Sequence, residues 1–364
     1  MDMAGGAGVR PGCQEAEMRK LLWLAVLLAL VLLPLGAYVR LSQAGLGCPD
    51  WPGCYGQLSP AHAAAAIERA MQLQPDGPVS PDKAWKEMAH RYLAAALGVL
   101  LFCLWWQAWR QAQRLAMASL LLLVLLLQAM LGMLTVTLQL RPWVVTSHLL
   151  LGMSLFALLL AAARRAQPRV AVLPAHGRLV TLLLLLVLGQ IALGGWMAAN
   201  HAALACQGFP RCNGQWWPDM QFTVTPPAWP WAVGTSVALP AAALVALHWL
   251  HRLGALLLLC VLCCVVGGLW RYPVLRRSLC LLVLLAGLQL LLGMLNVLWL
   301  RPLPLALAHH VFAMLLLAQA LGIRCRVQPS ACWHGLRAVR RRAFLAGRML
   351  PRAWPGRRSG AQGE

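Results

Sequence analysis

Four of the ten histidines recur at a single spacing. His90 and His251 are 161 residues apart, as are His148 and His309, and an arginine (Arg91, Arg252) follows each of the first two. A neutral imidazole is a good axial ligand for haem iron, whose reactivity follows from its axial ligands and pocket. One His from each of two facing helices can clamp a porphyrin, so two pairs imply two haem sites. The competing reading is interfacial histidines bonded to backbone or lipid; a repeated foursome favours the ligands. Glu87 lies three residues before His90, on the same helical face. A carboxylate there can accept a proton or stabilise positive charge developing on a substrate. Its mate in the repeat is His248, not an acid, and this asymmetry implies that one half performs chemistry while the other binds. The plainer use of Glu87 is an ion pair with Arg91 or Lys86. Arg91 and Arg252 suit haem propionates, and snorkelling to headgroups is the alternative.

His310 adjoins His309, and the 161-residue shift, which also matches Met153 with Met314, selects His309 as the ligand. His62, His176, His201 and His334 have no partner in the repeat. Two cysteine pairs also recur, Cys48 with Cys54 and Cys206 with Cys212. On an oxidising outer face each is expected to close a short disulfide staple; thiol exchange is the alternative. Zinc is disfavoured because no further His or Cys has the usual spacing. The other eight cysteines, such as Cys260, Cys263 and Cys264, read as small apolar residues.

Long apolar elements must position these groups. Of the 364 residues, 60% are hydrophobic and 11% charged, against roughly 25% charged in soluble domains. Eight apolar spans fall near 21–39, 88–109, 115–138, 143–163, 179–199, 247–270, 278–300 and 303–323, each near the length of about 20 residues that crosses a bilayer. The composition excludes a soluble enzyme, a secreted disulfide scaffold and a disordered chain.

The chain also aligns with itself. A shift of 158 places Gly36 on Gly194, Leu46 on Leu204, Cys48 on Cys206, Pro52 on Pro210, Cys54 on Cys212 and Pro60 on Pro218. A shift of 161 places Gln128, Leu131, Gly132, Met133, Leu134 and Val136 on Gln289, Leu292, Gly293, Met294, Leu295 and Val297. The expected fold is therefore an all-α polytopic membrane protein of eight transmembrane helices. They form two tandem four-helix bundles with pseudo-two-fold symmetry about the membrane normal. The expected segments are an N-terminus 1–20, a first bundle 21–163, a linker 164–178, a second bundle 179–323 and a basic tail 324–364.

The net charge of +21 invites a nucleic-acid reading. With both termini cytoplasmic, 22 of the 31 Lys and Arg residues fall inside, as the positive-inside rule requires. The basicity is then topological, and the tail, rich in Arg, Trp and Phe, suits anionic lipid. Trp51, Trp216, Trp217, Trp229 and Trp231 in the outer loops either cover a porphyrin or anchor the interface.

Three segments carry a family resemblance. They are Gly36-Ala37-Tyr38-Val39-Arg40-Leu41 followed by Gly45 to Cys54, then Glu87-Met88-Ala89-His90-Arg91, then the repeated Leu-Gly-x-x-Thr/Asn-Val. From Gly36 to about Ala320 the chain resembles haem A synthase, the membrane oxidoreductase that converts haem O to haem A for terminal oxidases. The resemblance implies that the first half (Glu87, His90, His148) holds the substrate haem and that the second (His251, His309) holds a permanent haem b. It implies oxidation of a ring methyl to formyl by successive hydroxylations and loss of water, with Glu87 the catalytic acid. The partners implied are haem O from a haem O synthase, an electron acceptor that the sequence does not name, membrane lipid and a second copy in a homo-oligomer; nucleic acid is not among them. A bacterial inner-membrane location follows. The loop from Pro60 to Lys86, His248 and the long tail depart from the family pattern.

A non-catalytic di-haem b-type electron carrier also needs four membrane histidines, but with ligands towards both faces. A transporter needs a polar midplane path, where here only Gln128, Gln190, Gln289 and Asn296 interrupt Leu, Val and Ala. A prenyltransferase needs aspartate-rich metal motifs, and the chain has none.

Overall fold

A computed structural model describes residues 11–165, 168–222 and 239–329. Eight helices in it are long and apolar enough to cross a membrane. They are α1 (Pro11–Leu41), α3 (Pro81–Arg110), α4 (Leu115–Thr137), α5 (Pro142–Ala163), α6 (Pro174–Ala199), α7 (Ala241–Leu269), α8 (Pro273–Leu298) and α9 (Leu303–Arg326). A shorter helix, α2 (Ala64–Leu73), lies between α1 and α3. The protein is an all-α polytopic membrane protein.

Several helices begin before or run past the apolar spans, because hydropathy marks only the stretch in lipid. Ser80 caps α3, its Oγ accepting from the Lys83 amide at 3.3 Å, and Pro81 follows at the first helical position, where a missing N–H costs nothing. α3 therefore starts seven residues before the apolar span at 88, and His90 sits deeper in its helix than the span suggests. Proline also stands at the start of α5, α6, α8 and α9. The departure between Pro60 and Lys86 is not plain loop: its Ala-rich stretch forms α2, which buries Ile67.

Among the first four long helices, α1 packs on α3 and α5, and α4 packs on α3 and α5. Among the last four, α6 packs on α7 and α9, and α8 packs on α7 and α9. Across the two sets, α5 meets α6 and α9, and α1 meets α9. One continuous core of Leu, Val, Ala and Met runs through both sets, from Met18 to Val327. The opposite faces expose Leu24, Leu27, Val31, Leu126 and Leu284, as helices in lipid do, since hydrocarbon removes any penalty for apolar exposure. A short parallel pair, β1 (Val170–Val172) with β2 (Val327–Pro329), fastens the connection between α5 and α6 to the end of α9. Nothing in the hydropathy pattern announces this pair.

Candidate functional site

The four repeated histidines share one local arrangement. His90 on α3 lies against Gly36 of α1, where a Cβ would come within 2.8 Å of its Nε2. On α7, His251 lies against Gly194 of α6, with Cε1 at 3.1 Å from that position. His148 on α5 faces Gly132 of α4, and His309 on α9 faces Gly293 of α8, each with Cε1 at 3.3 Å. All four glycines stand five residues before the end of their helix, and His148 and His309 each stand six residues after the start of theirs. A glycine inside a helix costs about 1 kcal/mol relative to alanine; here it makes room for an imidazole. His90 and His148 occupy α3 and α5, the two helices that α1 and α4 hold apart. His251 and His309 occupy α7 and α9 in the same relation.

The rings are also incompletely bonded. Nδ1 of His148, His251 and His309 is buried without a hydrogen-bond partner. An unpaired buried polar atom costs about 1–3 kcal/mol, so these atoms fit a group that binds imidazole nitrogen. Among the described residues, no three or more His, Cys, Asp or Glu gather to hold a bare ion. A porphyrin iron brings its four equatorial ligands and asks the chain only for axial ones, so the donor set fits haem.

Three glutamines support the rings. Gln128 Nε2 donates to the His148 carbonyl at 2.9 Å and lies 3.4 Å from its Nε2. Gln289 Nε2 lies 3.1 Å from His309 Nε2. Gln190 Nε2 donates to the His251 carbonyl at 2.8 Å. The first two carried a signal in the sequence, since both open the repeated segment one turn before Gly132 and Gly293. Gln190 stood out only as a polar residue within an apolar span, because the 158 shift places it on Leu32. The glycine and glutamine partners belong to His309; the neighbouring His310 keeps a buried, unpaired Nε2.

Above each set sits a disulfide loop. Cys48–Cys54 and Cys206–Cys212 are both closed, and each loop contains a cis prolyl bond, at Pro52 and Pro210. In both, a two-residue turn pairs Cys54 with Gln57 and Cys212 with Gln215. Tyr55, Gly56, Asn213 and Gly214 take positive φ there, the conformation that a tight hairpin turn requires.

Arg91 and Arg252 clamp these loops. Arg91 Nη1 donates to the carbonyls of Asp50 (2.8 Å), Pro52 (3.3 Å) and Gly53. Arg252 donates to those of Cys206 (3.0 Å), Gly208 (2.9 Å), Pro210 (3.4 Å) and Arg211 (3.2 Å). Glu87, only 5% exposed, accepts from the Cys48 amide at 3.0 Å through Oε2 and pairs with Arg91 through Oε1. Lys86 pairs instead with Asp82 at 2.5 Å. His248 Nδ1, equally buried, lies 3.4 Å from the Cys206 amide and 3.2 Å from the Ala202 carbonyl, and its tautomer selects between them.

Comparison with known sequences decides the family. Residues 19–321 match the sequence model of the COX15-CtaA family, described as cytochrome oxidase assembly protein. The chain belongs to the haem A synthase family. It is similar to the haem A synthase of Shewanella oneidensis, 38% identical over 314 residues that cover 83% of this chain and 94% of the relative. It is also similar to those of Methylobacterium radiotolerans (32% identical; 88% and 91% covered) and Methylobacterium sp. strain 4-46 (31%; 84% and 90%).

Within the haem A synthase family reading, the loop tryptophans divide. Trp51, Trp216 and Trp217 are exposed; Trp229 and Trp231 lie outside the described residues, as do His334 and the tail beyond residue 329. Cys103, Cys260, Cys263, Cys264 and Cys280 are unpaired and exposed on lipid-facing helices.

Proposed function

We propose that this chain makes haem A by oxidising a ring methyl of haem O to a formyl group through successive hydroxylations and loss of water. In this reading, residues 21–163 and 179–323 are two four-helix bundles related by a pseudo-two-fold axis along the membrane normal. The stretch 164–178 that joins them takes in β1 and the first turn of α6, and the basic cytoplasmic tail expected at 324–364 begins only after α9 and β2. The helix contacts support that relation: exchanging α1 with α6 and α5 with α9 turns the α5–α6 contact into the α1–α9 contact. Both termini then face the cytoplasm of a bacterial cell, and the disulfide loops face outward.

His90 and His148 hold the substrate haem; His251 and His309 hold haem b, which when bound supplies a one-electron centre. One observation carries the reading. Four imidazoles lie at matched heights, each against a helix glycine, and three keep a buried, unpaired Nδ1. All four stand on the disulfide-loop side, which favours this over an electron carrier with ligands towards both faces. An apolar groove lined by Leu28 and Val31 of α1 and by Ala96 and Val99 of α3 lies along the His90 helix and suits a prenyl tail entering from lipid. Glu87, one turn from His90, is the residue to take a proton or to stabilise positive charge at the reacting carbon. Arg91 pairs with its carboxylate and holds it close to the loop.

Haems extracted from cells with and without the chain, separated by chromatography, test the function. Haem A is expected only with the chain; haem O persisting unchanged in both overturns the proposal.

A further inference from the structure

A second group of charges lies at the opposite ends of the helices from the disulfide loops. Arg164 follows the last residue of α5, and Arg324 and Arg326 close α9. In the parallel pair Val170 is in register with Val327, so Arg169, just before β1, and Arg326, the last residue of α9, stand at the paired starts of the two strands. Four arginines thus stand around the end of α9, with the guanidinium groups of Arg324 and Arg326 reaching α6 and α8.

Arg164 is the centre of the group. Its Nη1 occupies the space that a Cβ would take at Gly322 of α9, so the absence of a side chain there admits the guanidinium between the helices. Its Nε is buried and has no hydrogen-bond partner. Burial pushes its pKa below the ordinary arginine value; the nearby Cys325 thiol opposes this and the charge of Arg326 adds to it. Arg324 spends only Nε, on Thr181 Oγ1 at 2.9 Å. Arg326 bonds Ser278 Oγ at 3.2 Å and the Val274 carbonyl at 3.3 Å. Among the described residues, no carboxylate pairs with any of the four; the ion pairs there use Lys86, Arg91 and Arg114. Neighbouring guanidinium groups, one partly desolvated, repel unless an anion sits between them. Guanidinium suits phosphate through bidentate bonds, and basic pockets between transmembrane helices hold anionic headgroups.

We propose that Arg164, Arg169, Arg324 and Arg326, grouped around the end of α9, bind the phosphate of an anionic phospholipid. Bound there, the lipid joins the connection between the two helix sets to the end of α9.

Native mass spectrometry of the full-length protein in detergent tests this, with phosphatidylglycerol, phosphatidylcholine and inorganic phosphate titrated separately. The unaltered protein should hold one phosphatidylglycerol at concentrations where phosphatidylcholine does not bind. Arg164→Gln and Arg324→Gln should each weaken that adduct at least ten-fold, while Arg277→Gln, an exposed arginine in α8 (Pro273–Leu298), should not. If Arg164→Gln fails to fold, Gly322→Ala serves in its place, since its methyl displaces the guanidinium. Equal binding of phosphatidylcholine overturns the proposal, as does an adduct unchanged in both Arg164 and Arg324 variants. Displacement of the lipid by an equal concentration of inorganic phosphate overturns the lipid as the ligand.

Discussion

The two halves solve one docking problem with different chemistry. In the first, the Cys48 amide donates to Glu87; in the second, the equivalent Cys206 amide lies beside His248. Arg91 and Arg252 clamp equivalent loop carbonyls in both. What differs is charge: Arg91 meets a carboxylate, whereas Arg252 meets neutral groups, loop carbonyls and the Phe209 ring. An imidazole holds the second loop in place, so loop docking alone does not demand an acid. The carboxylate at Glu87 is left with work that the second half does not share, and the proposed proton or charge-stabilising role is the natural candidate. The supports differ too, because α7 is tied to α6 through Gln190 while the matching position on α1 is Leu32.

The largest expected effect separates the halves outright. His251→Ala or His309→Ala should remove most of the low-spin b-type absorption of the purified protein, while His90→Ala should leave most of it. Loss of the spectrum in the His90 variant instead would reverse the assignment of resident and substrate sites.

Glu87→Ala should keep the absorption yet lower haem A formation by about 100-fold or more, the usual scale of general acid–base catalysis. His248→Ala should leave formation within a few-fold. Comparable losses in the two variants would mean that both residues merely seat their loops.

A smaller difference is expected at the glutamines. Gln289→Leu should shift the haem b spectrum and midpoint potential, because it touches the His309 ring. Gln128→Leu should leave that spectrum unmoved and alter only haem O turnover. Smallest of all, Cys206→Ser with Cys212→Ser should cost about 2 kcal/mol of stability, the loop-closure scale for so short a ring, read as a lower thermal midpoint. A drop far beyond that would show that the second loop also seals its haem.

Much of this was legible in the chain itself. Apolar length fixes a membrane helix because hydrocarbon leaves the backbone no other way to pair its amides. The His, Cys, Pro and Gly matches at shifts of 158 and 161 marked a duplication that leucine could not hide. The glycine opposite each imidazole was also in those matches, but as letters without a partner. Which ring meets which glycine, that His248 does the loop-seating work of Glu87, and that Gln190 reaches the His251 carbonyl depend on how helices pack. So does the arginine group, because Arg164 and Gly322 are far apart in the chain and one short strand pair brings their helix ends together. Periodicity and composition report what each segment needs from its surroundings; only the packed helices decide which neighbour supplies it.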